Sequence, residues 1–284
     1  MLHTPKEGEL SGRAYHPNGW RERVGLFGGF LLAPVTFAIS RLRAARMFHP
    51  DGTLYEARLE PWAKAPDLHA LAERLAGGAL VRLSSAWWRG KDWPDVLGMA
   101  VRFCESSPER IQSAAGDQDL LLATIRFPWT TPFAPLTTRF TSFLWNHYHA
   151  VSPFQVDGVG RVKLRLRSPR LSNSSGSSRS EHLQAAVAAG RARFVLEARR
   201  MDRSPLSRSW EPVAELTLKR PIELDQASLR FSAFRQGRGV RPIGFVHALR
   251  VAAYAASQRA RSRSTQPTLN DRCLPNQSRA RQNA

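Results

Sequence analysis

Short segments in which apolar and polar residues alternate recur along this chain, and they limit the folds that it can adopt. In the clearest of them, at 161–167, Val162, Leu164 and Leu166 alternate with cationic residues. Successive side chains of a strand point to opposite faces, so this pattern predicts a strand with one buried face. Seven further segments alternate in the same way or are short, mostly apolar runs: 53–60, 79–85, 98–104, 119–127, 192–198, 213–219 and 227–234.

The segments between these eight strand candidates indicate how the sheet is connected. Several of them carry no helical pattern, so the regular strand–helix alternation of a parallel sheet is absent. Helical spacing occurs in four segments: 68–75, 137–148, 181–190 and 244–258. The first has Asp67 as its expected N-cap and Gly77 after its end. The sequence therefore predicts an α+β fold, a closed antiparallel eight-stranded β-barrel with flanking helices and an N-terminal helical arm.

Composition divides the chain into three regions around this barrel. Residues 1–45 are expected to form the arm, and residues 46–258 the barrel domain, which includes a Ser-rich loop at 168–180. Residues 259–284 contain six arginines and no aromatic residue, which is typical of a disordered basic tail.

One apolar stretch lies inside the arm, at 24–40. Its 17 uncharged residues are close to the lower limit for crossing a bilayer, while its glycines and Pro34 weaken a helix. Two interpretations stay open at this point: a helix that packs on the core or on a partner, and a peripheral membrane contact.

Charge and cysteine content narrow the class of protein further. The net charge of +19 favours anionic partners or cofactor groups, but no basic-aromatic module is recognisable, so a nucleic-acid partner is not expected. The two cysteines, Cys104 and Cys273, form neither a disulfide framework nor a zinc site. We therefore expect a reducing, cytoplasmic location, with membrane association through 24–40 as the alternative. The sequence leaves open whether the chain forms a homo-oligomer.

Two motifs near the predicted barrel start place polar residues where they need partners. Arg46 and His49 precede the first strand candidate and are followed by Gly52. In the strand at 79–85, Arg82 and Ser84 point to the same side. Burying two polar groups there is costly unless both are bonded.

A third motif lies near the C-terminal end of the barrel domain. Arg250 and Tyr254 are four residues apart and would share one face of a helix. A guanidinium beside a phenol favours the phenolate and so lowers the phenol pKa.

In this order the motifs resemble those of the catalase superfamily of heme proteins. Catalase-like proteins begin the barrel with R-x-x-H-A-x-G, and this chain has Arg46, His49 and Gly52 in that frame, with Pro50 where a small residue is usual. The family continues with V-R-F-S, which is similar to VRLS at 81–84.

Two later motifs extend the resemblance. The family's R-G-F-A-V-K-F is similar to LGMAVRF at 97–103, and its R-x-x-x-Y matches Arg250 and Tyr254. The resemblance covers residues 44–130 and 210–261, and it is nearest to the small catalase-related proteins.

The resemblance implies heme b, bound between the barrel and the late helix. Tyr254 is then the ligand of the ferric iron, and Arg250 keeps it deprotonated. Arg46 and Arg82 match family positions that bind the heme propionates, a task that suits the planar arginine fork.

The resemblance also implies a distal side. His49 would act as the acid–base group that assists O–O cleavage, oriented by Ser84. The family's second distal residue is an asparagine, and here Ala123 or Thr124 takes its place. Thr124 is therefore the third catalytic candidate, and dismutation of peroxide is less favoured than peroxidase turnover.

The expected activity is thus that of a heme peroxidase that cleaves hydrogen or organic peroxides with an external electron donor. Two alternatives remain: a heme-free catalase-fold binding protein, and a lyase or dehydratase of lipid hydroperoxides. His147 and His149 lack acidic or cysteine partners at metal-site spacing, so we expect them to serve packing or surface roles.

Overall fold

The barrel is seen in a computed structural model, which describes residues 20, 23–24, 27, 51–62, 66–88, 90–105, 107–127, 130, 133–150, 152–169, 178–202, 209–226, 228–233, 235–244 and 247. The described residues before Asp51 are helical, as expected for the arm. Most of that arm and of the predicted helix at 244–258, and the whole tail, lie outside these residues.

Within the described residues, ten antiparallel strands form one sheet. They are β1 (Asp51–Pro61), β2 (Gly77–Ser85), β3 (Leu97–Phe103), β4 (Gln118–Ala123), β5 (His147–Ala150), β6 (Phe154–Val156), β7 (Gly160–Arg167), β8 (Arg193–Arg200), β9 (Glu211–Ile222) and β10 (Val240–Pro242). The order is β10-β6-β7-β5-β4-β3-β2-β1-β9-β8, and a further β7–β8 pairing closes eight of the strands into a ring. The predicted eight-stranded closed barrel is confirmed, and β6 and β10 extend the sheet from β7.

The identity of one barrel strand differs from the prediction. Seven strand candidates correspond to β1–β4 and β7–β9, but the predicted strand at 227–234 is irregular wherever it is described. The predicted helix at 137–148 is also wrong, because residues 138–146 form turns, bends and irregular backbone and the end of the segment begins β5. Tyr148 and Ala150 of β5 face the barrel interior, and this burial outweighs the local helical spacing.

Three short helices are described around the sheet: α1 (His69–Leu75), α2 (Ala134–Thr137) and α3 (Arg179–Ala188). Asp67 is not the N-cap of α1, because it lies inside a 3-10 turn and Leu68 takes the cap position without a side-chain bond. The Ser178 hydroxyl caps α3 by accepting from the Glu181 backbone N–H at 3.2 Å. No helix in the described part is long and apolar enough to cross a membrane.

Alternation along each strand separates an apolar interior from the outer faces. In β2, Val81 and Leu83 face the interior, where they meet Val101, Leu120 and residues of the other barrel strands. Arg82 and Ser84 of the same strand therefore face outward, away from the main core. The barrel thus presents its polar candidates on an outer wall.

Candidate functional site

A shelf of small side chains runs across the outer face of β1–β4, which we call the first wall. Register places four residues side by side on this face: Gly52, Ser84, Gly98 and Ala123. None carries a side chain larger than a hydroxymethyl group. A planar ligand can approach the backbone closely where Cβ atoms are missing.

Arg82 borders this shelf and is held in place by its neighbours. It is 4% exposed, and its Nε donates to Gln226 Oε1 at 3.1 Å. A Cβ added to Gly52 would lie 2.6 Å from the Arg82 Cζ, so the guanidinium rests directly against this glycine. Gln226 Nε2 in turn donates to the Gly52 carbonyl at 2.7 Å. A buried cation is thereby fixed beside the small residues.

Ser84 lies on the same face as Arg82, as the strand alternation predicted. It is buried at 4% exposure, and its hydroxyl donates to the Gly98 carbonyl across a long distance of 3.5 Å. The Ser84 hydroxyl is therefore part of the shelf, and a hydrogen bond to a neighbouring group could orient it.

Thr124 follows the strand that carries Ala123, and its hydroxyl is engaged in local bonds. Its Oγ1 accepts from the Leu97 backbone N–H at 3.1 Å and from the Thr138 hydroxyl at 2.8 Å. These bonds connect the end of β4 to the start of β3 and to α2. Thr124 therefore helps to hold these three elements in position, in addition to any contact that it makes with a ligand.

A buried ion pair at the other end of the first wall was missed by the sequence analysis. Arg102 donates from Nε to Asp119 Oδ1 at 3.0 Å, and both side chains are at most 1% exposed. Asp119 Oδ2 also accepts from the Ser232 backbone N–H at 2.8 Å and from Arg235 Nε at 3.0 Å. The available signal was an arginine inside the apolar run at 97–103.

The segment after β9 covers this end of the wall. Leu229 and Phe231 pack against Leu54 and Leu80, and the Arg102 guanidinium lies 5.1 Å from the Phe231 ring centre. This contact explains why 227–234 alternates like a strand without pairing as one. Toward the shelf the same segment contributes Gln226.

Four of the predicted site residues cannot be placed against this wall. Arg46, His49, Arg250 and Tyr254 lie outside the described residues. The roles given to them by resemblance therefore stay predictions, while Arg82, Ser84 and Thr124 have known surroundings.

His147 and His149 face outward on the second wall, which is the outer face of β5, β7 and β8. Burial, helped by the cation Arg165, lowers the pKa of His149 to about 4. The pKa of His147 is lowered for the same reasons. His149 also lies 6.1 Å from the Trp210 ring centre. Among the described residues no group of three or more metal-ligating side chains comes together.

Comparison with known proteins supports the fold alone. No protein-family model matches the chain, and no curated protein matches it in sequence. The crystal structure of a fungal catalase matches with a TM-score of 0.54 at 16% identity, across 76% of this chain. The match spans 59% of that catalase chain. At this identity the likeness establishes a catalase-like barrel and not an activity.

The first wall is compatible with a flat, carboxylate-bearing cofactor such as heme. Ser84, Gly98 and Ala123 offer small side chains or none, and the buried Arg82 guanidinium, which covers Gly52 at the edge of the shelf, suits a carboxylate. Arg82 is also the residue that the catalase resemblance assigns to a propionate. The described residues of the first wall thus fit one face of a heme.

Proposed function

We propose that this protein is a heme-dependent peroxidase of the catalase-like kind, acting on hydrogen or organic peroxides with an external electron donor. The observation that carries the proposal is the shelf of small residues beside a buried arginine, on a barrel with a catalase-like fold. Heme, when bound, supplies the iron at which the peroxide O–O bond is cleaved.

The protein's own residues would bind the cofactor from two sides. Arg82 and Arg46 would hold the propionates, since a guanidinium binds a carboxylate through two parallel hydrogen bonds. Tyr254 would supply a phenolate oxygen to the iron, and Arg250 would stabilise that phenolate by its positive charge.

On the peroxide side, His49 moves one proton. It would take the proton from the O–H group of the bound hydroperoxide and return it to the other oxygen of the O–O bond, which departs as water or an alcohol. The two electrons that this cleavage consumes would be restored by the external electron donor. Ser84 orients the imidazole by a hydrogen bond. This task suits a buried hydroxyl whose present bond, to the Gly98 carbonyl, is long.

The absence of an asparagine after β4 favours peroxidase turnover over dismutation. Ala123 offers no polar group, and the Thr124 hydroxyl already accepts two hydrogen bonds. Dismutation handles two peroxides in succession in a polar pocket, whereas a peroxidase handles one and then an electron donor. A lyase or dehydratase acting on lipid hydroperoxides would need the same wall but no electron donor.

Peroxide turnover by the heme-loaded protein tests this proposal. His49→Ala should slow peroxide cleavage by about 10²–10⁴-fold, the usual contribution of one positioned proton-transfer group. Ser84→Ala should cost less, because the imidazole remains. His69→Ala, at an exposed position on α1, is the matched control and should leave the rate unchanged.

Turnover of the same heme-loaded protein with and without an electron donor distinguishes the reaction types. Turnover of hydroperoxide that depends on an added electron donor supports the peroxidase. Complete conversion of a fatty-acid hydroperoxide without a donor would replace it by the lyase or dehydratase. A full rate in His49→Ala together with a lost rate in Ser84→Ala would contradict the distal assignment.

A further inference from the structure

Exposed apolar side chains are concentrated at one end of the barrel. Nine large apolar side chains are exposed in the described part of the chain, and three of them belong to the N-terminal arm. The other six, which we call the tryptophan patch, are Trp87, Trp88, Trp93, Phe133, Leu136 and Trp145. Phe133 is 64% exposed and Leu136 82% exposed. Concentration of this kind marks an interaction surface.

The tryptophans sit on a turn that the buried Asp95 carboxylate holds in shape. Its oxygens accept from the backbone N–H groups of Trp87 and Trp88, each at 3.1 Å, and of Val96 at 2.7 Å. The rings of Trp88 and Trp93 meet edge to face, with centres 5.1 Å apart. The exposed rings are therefore presented in a fixed arrangement.

A second loop, at 133–145, adjoins this turn and completes the patch. Ala134 packs in one small cluster with Ala86 and Val96, which flank the tryptophan turn. Arg179 is 4% exposed and ties the two loops together by donating to the carbonyls of Lys91, at 2.9 Å, and Phe140, at 3.3 Å. The two loops thus form one surface.

Cations lie among the exposed rings. The Lys91 ammonium is 4.4 Å from the Trp93 ring centre, and the Arg139 guanidinium is 5.4 Å from that of Trp145. Tryptophan is enriched at membrane–water interfaces, and neighbouring lysine and arginine bind anionic lipid headgroups. The net charge of +19 attracts the whole molecule to such a surface.

We propose that the tryptophan patch docks the barrel onto anionic membranes. The rings enter the headgroup region, while Lys91 and Arg139 contact phosphate and carboxylate groups of the lipids. The tryptophan patch contains no residue of the apolar stretch at 24–40, and the proposal does not depend on heme.

Sedimentation of the full chain with vesicles tests the docking surface. Wild type should bind vesicles of phosphatidylcholine mixed with phosphatidylserine, and bind phosphatidylcholine alone more weakly. The triple variant Trp87→Ala, Trp88→Ala, Trp93→Ala should lower the partition coefficient by about tenfold or more, because less apolar surface is buried. The control Trp20→Ala, Phe27→Ala removes exposed rings of the arm and should have the smaller effect.

Charge provides a second, independent arm of the experiment. Lys91→Glu with Arg139→Glu should weaken binding to the anionic vesicles by about tenfold, since each basic residue near the surface contributes. Arg58→Glu with Arg193→Glu changes the net charge equally at exposed positions on β1 and β8, and should weaken it less. Equal effects of the two charge variants would overturn the proposal.

Two further outcomes would also overturn it. One is vesicle binding that persists unchanged in the triple tryptophan variant while its circular dichroism remains that of wild type. The other is a wild-type dimer in analytical ultracentrifugation that this variant converts to monomer without any change in vesicle binding. The patch would then be an interface between copies of the chain.

Discussion

The two outer walls of the barrel bury their charged residues to different degrees. On the first wall the charges of Arg82, Arg102 and Asp119 are buried, and each is bonded to a partner. On the second wall Arg165 and Arg167 share one carboxylate, Glu197, at 2.6 and 3.0 Å, and the Arg167 side chain is 35% exposed. Trp210 stacks there, 4.3 Å from the Arg165 guanidinium.

This difference shows how each half of the barrel can be used. A buried ion is stable only with a full set of partners, so the first wall is rigid and prearranged. On the second wall the Glu197 carboxylate is buried, but Arg165 and Arg167 keep contact with water, so these cations lie close to one another and to an aromatic ring at smaller cost. The two walls should therefore differ in their response to substitution.

The largest effect on stability should come from the first-wall ion pair. Asp119→Asn removes the negative charge that accepts from Arg102, Arg235 and the Ser232 N–H. Leaving Arg102 buried without a counter-ion should lower the free energy of unfolding by about 3–5 kcal/mol, measured by urea denaturation. Asp157→Asn, whose pair with Arg241 is half exposed, should cost less than about 1 kcal/mol. Equal losses in the two variants would remove the distinction between a buried and an exposed pair.

The corresponding change on the second wall should cost less. Glu197→Gln removes the charge shared by Arg165 and Arg167, but these cations remain partly hydrated. We expect a loss of about 1–2 kcal/mol in the same urea experiment. Glu215→Gln is the control, since its pair with Arg193 is exposed, and it should change stability by less than about 0.5 kcal/mol. A loss in Glu197→Gln as large as that in Asp119→Asn would mean that the walls do not differ.

A third substitution examines the contact at the shelf. Gly52→Ala puts a Cβ against the Arg82 guanidinium, which must move away from Gln226. We expect a loss of about 1 kcal/mol, the order of one net hydrogen bond. In an Arg82→Ala background the same substitution should cost almost nothing, because the clash is gone. Additive losses in this double-mutant cycle would show that the two residues do not touch.

The smallest effect should be a change in pH dependence on the second wall. Burial and Arg165 lower the pKa of His149 from 6.5 to about 4, so the unfolded chain binds the proton more tightly than the folded one. The contribution of His149 to the free energy of unfolding is therefore fully present above about pH 6.5, and it is lost as the pH drops toward 4. His149→Gln should flatten this decline in unfolding curves recorded across that range. An unchanged slope would show that His149 is not the group that titrates.

The sequence predicted most of the barrel because alternation alone identifies strands with one buried face. It failed for β5, where four residues are too few to outweigh the helical spacing of Phe140, Phe143 and Leu144. It failed again for 227–234, where Leu229 and Phe231 alternate but pack on an outer wall. In both cases the deciding contact is distant in sequence.

The candidate site was predictable only within single strands. Alternation places Arg82 and Ser84 on one face, and the structure agrees. The shelf depends on the register of four strands, and the Arg102–Asp119 pair on the pairing of β3 with β4. Neither register nor pairing partner is contained in a strand's own pattern.

Heme titration is the most direct measurement of the central claim, that the first wall holds heme with Tyr254 as iron ligand. Wild type should develop a Soret band and a high-spin ferric phenolate spectrum, and Tyr254→Phe should abolish that spectrum. Tyr55→Phe, which alters a buried tyrosine of the barrel interior, should keep it. A wild-type protein that binds no heme, or a Tyr254→Phe variant with an unchanged spectrum, would contradict the claim.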